Sequence, residues 1–154
     1  MRLIEEREVR SAARRVSQGS MDRARRLGRH RPELVAYVVA ATDRLSEAAK
    51  AAAWRGLELC IEAMGVGASV KRATIDEVLA VHERNLDFAL TLGACHPRIA
   101  ARWLRCSPAL RQRSLLRRLS DDTAASAPAG ERGAVFLLMK TVVDVLDEAR
   151  APGH

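Results

Sequence analysis

Aromatic residues are scarce in this chain. Tyr37, Trp54, Phe88, Trp103 and Phe136 make up 3% of it. Single-stranded nucleic acid is held on several exposed rings along a basic groove, and five scattered rings do not supply that platform. Nine Gly and five Pro exclude a collagen-like or linker-type chain. Lysine is almost missing: Lys50, Lys71 and Lys140 stand beside 23 Arg. Such a preference reflects nucleotide composition as readily as phosphate recognition, so the arginine count alone points to no anionic partner. Cysteine is limited to Cys60, Cys95 and Cys106. An odd count without a secretion signal implies reduced thiols and a cytoplasmic location. No window approaches the roughly 18 consecutive apolar residues of a membrane span, so no membrane partner is expected. Strand signals are lacking too. No stretch alternates apolar with polar residues, and neither Asn-Gly nor Asp-Gly occurs.

What remains is the material of helices. The 154 residues are 48% hydrophobic and 29% charged, which suits a single soluble domain with a real core. Residues 3–18 read as a first helix ended by Gly19. Ser20 can cap a short one through Leu27, and Pro32 suits the first turn of the next. Over 32–64, Val35, Val38, Thr42, Leu45, Ala49, Ala52, Gly56, Leu59 and Ala63 follow steps of three and four, a heptad seam. The preferred reading is one continuous helix about 48 Å long. A break near 43–46, with Ser46 capping a second helix, is the alternative. Thr74 and Glu77 have the spacing of a capping box for a helix from Ile75 to about Leu92. Pro97 opens a helix to about Arg105, and Ser107-Pro108 opens another to Leu119. Residues 120–130 read as a flexible loop, 131–149 as the last helix and 151–154 as a frayed tail. The expectation is an all-α, compact bundle of about five to seven amphipathic helices.

Charge is distributed in blocks. Residues 1–31, a basic helical segment, hold ten Arg against four acids, and residues 95–118 hold seven Arg and no acid. The stretch 98–119 resembles a helix-turn-helix, with a short helix, a Ser-led turn and a second helix rich in Arg and Gln. That resemblance implies that Arg111, Gln112, Arg113, Arg117 and Arg118 face phosphates or base edges. Two departures weaken it: Arg105-Cys106 stand where a glycine and an aliphatic residue are usual, and Arg111 where a buried apolar residue is needed. The plainer reading packs Trp103, Leu104, Leu110, Leu115 and Leu119 inward and leaves the arginines solvated.

Chemistry-bearing constellations are few. Cys95 and His96 are adjacent and Cys106 stands alone, a spacing unsuited to zinc, so no metal or cofactor is expected. His82, between Val78 and Leu86 and beside Glu83, is positioned for a general base or a small-ligand pocket. No nucleophile elbow or phosphate loop accompanies it. The reading that follows is a non-enzymatic interaction module that associates with itself, most simply as a dimer. Its expected contact is the small-residue stripe Ala49, Ala52 and Gly56 on a helix outrunning its neighbours. The alternatives are a DNA-binding regulator using 98–119, a partner with an acidic surface, and a ligand or enzyme pocket near His82.

Overall fold

The computed structural model describes residues 3–17, 21–65, 70–93, 98–107 and 110–150, with backbone alone for 21–25. Eight α-helices and one 3-10 turn are present among them, and no strand. The all-α expectation is met, with one helix more than the upper count. The helices are α1 (Glu6–Ser17), α2 (Met21–His30), α3 (Pro32–Thr42), α4 (Glu47–Met64), α5 (Ile75–Thr91), α6 (Ile99–Cys106), α7 (Arg113–Ser126) and α8 (Arg132–Arg150). The 3-10 turn, Ala129–Glu131, leads into α8.

The 32–64 segment is two helices, which corrects the continuous reading. Ser46 supplies the reason. Its extended backbone starts α4, and its hydroxyl accepts from Ala49 N–H at 3.3 Å. The same residue is clamped from afar, because its N–H and hydroxyl both donate to the Glu131 carboxylate. Packing agrees with the break. Helix α3 lies mainly against α5, α2 and α4, whereas α4 lies against α1, α7 and α8. One straight rod could not serve both sets of neighbours.

Two further boundaries differ from expectation. Residues 120–130 are not a loop, because α7 continues to Ser126. Leu115, Leu116, Leu119 and Thr123 form one buried stripe, so inward packing outlasts the polar composition of the segment. Ala127 is buried after it, and Pro128 starts the 3-10 turn. Helix α7 also begins at Arg113 and not at the Ser107-Pro108 pair, of which Pro108 lies outside the described residues. Upstream, α2 runs past Gly28 to His30, and Ser20 lies outside the described residues. The Thr74–Glu77 capping box is present in both directions. Met1, Arg2, Gln18, Gly19, Cys95, His96, Pro97 and the 151–154 tail are likewise outside the described residues.

The core sits around α8, which packs on α5, α4 and α7. Its long buried face, with Val135, Leu138, Met139, Val142, Val143 and Leu146, meets Leu57, Leu116, Leu119 and Val78 within one apolar cluster. Each such side chain contributes about 1.5–3 kcal/mol when taken fully out of water. A smaller aromatic cluster joins Trp103 of α6 to Phe136 of α8 and Ala89 of α5. Arg31, at the α2–α3 joint, is buried and donates to the carbonyls of Lys71 and Val70 at 3.0 and 3.2 Å. This arginine of the basic amino-terminal block therefore ties two segments of backbone together.

Candidate association face and charged groove

The stripe Ala49, Ala52 and Gly56 is buried inside the chain. A Cβ built on Gly56 would lie 2.3 Å from Met139 Sδ and 3.3 Å from Leu119 Cδ2. The absent side chain is what lets α8 and α7 approach α4. Close approach was the correct inference from small residues, but the partners are helices of the same chain. This corrects the expectation that the stripe faces a second copy, because α4 does not outrun its bundle.

An outward apolar face lies elsewhere, on α3 and α5. Helix α3, Pro-Glu-Leu-Val-Ala-Tyr-Val-Val-Ala-Ala-Thr, has Glu33 as its only charge, and that side chain is turned in toward Arg31 at 3.6 Å. Leu34, Tyr37, Val38 and Thr42 are buried, while Pro32, Ala36, Val39, Ala40 and Ala41 are exposed, Val39 by 54%. No polar side chain stands among those five. On α5, Ile75, Leu79 and Leu90 are exposed and Leu86 is half-buried, at spacings of four and seven that keep them on one side of the helix. Asp76, Glu83 and Asp87, all exposed, follow as a row beside that stripe.

His82 marks the join between α3 and α5. Tyr37 Oη lies 2.8 Å from His82 Nδ1, with the rings edge-on at 5.6 Å. Burial pushes the His82 pKa below its ordinary value, against the opposing pull of the neighbouring Glu83 charge. Burial also raises the Tyr37 hydroxyl to about 12, with the Thr141 hydroxyl pulling it back. Tyr37 thus stays protonated near neutral pH and shares one hydrogen bond with the imidazole, its direction set by the ring tautomer. Asn85 does not serve His82. Its side-chain amide crosses to α8, donating to Asp144 Oδ2 at 2.9 Å and to Thr141 Oγ1 at 3.4 Å. The pair His82–Tyr37 therefore joins two helices, with no serine or cysteine hydrogen-bonded to the ring among the described residues.

The residues of the helix-turn-helix resemblance do not share one face. Gln112 is 1% exposed and points inward, which corrects its expected place at a nucleic acid. It alone among described non-glycine residues has a left-handed backbone, with φ 53°. Its amide nitrogen donates to Asp147 Oδ1 at 2.8 Å, and its amide oxygen accepts from Ile4 N–H at 3.0 Å. Arg111 lies 3.9 Å from Asp147, and Arg118 donates to Asp122 at 2.8 Å. Arg113 is half-buried and reaches the Ser107 carbonyl at 3.4 Å, while Arg117 is exposed. Six residues, 107–112, separate α6 from α7.

A polar cluster that sequence inspection missed lies between α5, α6 and α8. Lys140, 6% exposed, forms an ion pair with Asp144 one turn on, and its ammonium sits 5.6 Å above the Trp103 ring. The cluster opens into a groove of about 580 Å³ whose lining includes Arg84, Phe88, Leu110, Arg111 and Glu148. The only advance signal was the charged positions Lys140, Asp144, Asp147 and Glu148 interrupting the apolar run of α8. Elsewhere, Cys60 is fully buried, and burial drives its thiol well above the usual range. Among the described residues no group of three or more His, Cys, Asp and Glu is placed to hold a metal ion. No helix among them is long and apolar enough to cross a membrane. Set beside known proteins, the chain matches no family model, and no curated protein or solved structure shows significant similarity to it.

Proposed function

We propose that this protein is an interaction module that associates with a second copy of itself through the outer face of α3 and the adjoining stripe of α5. The observation that carries this reading is α3. A helix whose outer face is wholly apolar belongs in an interior, yet this one leaves Pro32, Ala36, Val39, Ala40 and Ala41 in solvent within a single chain. The occupant follows from charge. Near a two-fold axis each residue meets its own copy, so a charge there repels itself. The outer face of α3 has none. Around it the signs are mixed: α5 carries its acidic row, and α2, also packed on α3, ends in exposed Arg29 and His30. A two-fold arrangement can set the acidic row of each copy toward the basic turn of the other, while small alanines permit close approach at the centre.

Sedimentation velocity over a micromolar concentration range tests the proposal. The wild-type chain should sediment as about twice 16.9 kDa. Val39→Asp combined with Leu79→Asp, both at exposed positions, should sediment as one chain with its helix content intact. A wild-type protein of 16.9 kDa at every concentration would end this reading.

A further inference from the structure

The groove on the opposite flank of α5 carries features that neither core packing nor self-association uses. Lys140 and Asp144 form a largely buried ion pair, a poor route to stability, because desolvating two charges costs about as much as their attraction returns. An ammonium has three N–H groups, and among the described residues Asp144 takes one of them. The Asp144 Oδ2 atom receives both Lys140 and Asn85, while Oδ1 has no hydrogen bond from a described residue. Donors and an acceptor are therefore presented side by side on the α8 face of the groove. Gln112, held in its left-handed conformation, fixes Asp147 one turn further along.

Charge balance selects the ligand. Three cations, Lys140, Arg84 and Arg111, stand against three anions, Asp144, Asp147 and Glu148. A ligand with one net charge would leave an uncompensated charge beside a buried pair. A zwitterion keeps the balance while giving each polar end a partner. The walls add an apolar requirement: Phe88, 36% exposed, stands edge-on to Trp103 at 4.8 Å, with Leu110 nearby. A groove of about 580 Å³ is within the range of small-molecule sites.

We infer that this groove binds a small zwitterion of the α-amino-acid class with an aromatic or branched apolar side group. Its carboxylate meets Lys140 and Arg111, its ammonium meets Asp144, and its side group lies on Phe88 and Leu110. The test uses the full chain with Trp54→Phe, which leaves Trp103 as the one indole reporter. It is titrated with L-phenylalanine and L-leucine, with N-acetyl-L-phenylalanine as the anionic control and phenethylamine as the cationic one. At least one amino acid should give a saturable change in Trp103 emission, and each singly charged analogue should bind about tenfold more weakly, the effect of one lost charged hydrogen bond. Arg111→Ala and Phe88→Ala should each weaken binding by about tenfold with helix content by circular dichroism intact. Three results would overturn the assignment: no saturable response at millimolar concentration, equal affinity for a singly charged analogue, or affinity unchanged in both variants.

Discussion

Replacing Gln112 separates its two structural roles, and the energies follow from its surroundings. Gln112→Ala removes a hydrogen bond to the Asp147 carboxylate and strands the Ile4 N–H, both in buried surroundings. A bond to a charged group is worth about 1.5–3 kcal/mol, and an orphaned buried donor costs about 1–3 kcal/mol. The two losses together amount to about 2.5–6 kcal/mol, a large share of the roughly 5–15 kcal/mol that holds a domain folded. Gln112→Gly loses the same bonds but relieves the backbone. Alanine at φ 53° is strained, whereas glycine is not. The strain outweighs the extra freedom glycine gives the unfolded chain, so Gln112→Gly should be the more stable variant by about 1 kcal/mol. Urea unfolding followed by circular dichroism measures both gaps. An alanine variant as stable as the glycine variant would refute the backbone argument. Losses below about 1 kcal/mol in both would refute the claim that Gln112 is a structural clamp.

Other consequences are as specific. Gly56→Val places a branched side chain against Met139 and should cost about 3 kcal/mol or more; Met139→Ala should recover part of that in a double-mutant cycle, and purely additive losses would contradict the packing. Ser46→Ala removes a helix cap and should destabilise by about 1 kcal/mol in urea unfolding. The Ser46 hydroxyl and N–H hold the Glu131 carboxyl below its ordinary pKa. That contribution to stability is present above the ordinary carboxylate pKa and is lost as pH falls through the lowered one, so Ser46→Ala should flatten the acid limb of a stability–pH profile. His82 acts in the same direction at higher pH. Because burial lowers its pKa in the fold, the unfolded chain binds the proton first. Stability is then full above the ordinary histidine pKa and declines as pH falls toward the lowered value; His82→Gln should abolish that segment of the profile. The groups facing the imidazole are Tyr37 from α3, whose hydroxyl stays protonated throughout that window, and Glu83 beside it on α5.

Local rules and tertiary packing divide the account between them. Helix starts with side-chain chemistry were readable in advance: the Thr74–Glu77 box, Pro32 in a first turn and the Ser46 cap, which was visible as a rival to the long helix. Ser46 prevailed because its partner Glu131 is 85 residues away, and no local pattern contains that contact. The 120–126 segment has the composition of a loop, while Leu119 and Thr123 continue a stripe that packing against α4, α8 and α1 makes worth burying. For Ala49, Ala52 and Gly56 the spacing implied close helix approach without naming which helix. The outer face of α3 was hidden for the opposite reason, since an apolar run does not reveal which half is covered. The Gln112 clamp, and the burial of the otherwise local Lys140–Asp144 pair under Trp103, depend on contacts between distant segments of the chain.

The most direct test of the association face is an isotope-filtered nuclear Overhauser experiment on a mixture of labelled and unlabelled chains. Contacts between chains should appear at the methyl groups of Ala36, Val39 and Ala40 on α3 and of Leu79 on α5. Intermolecular contacts confined to other surfaces, or none at concentrations where the protein is paired, would contradict the account.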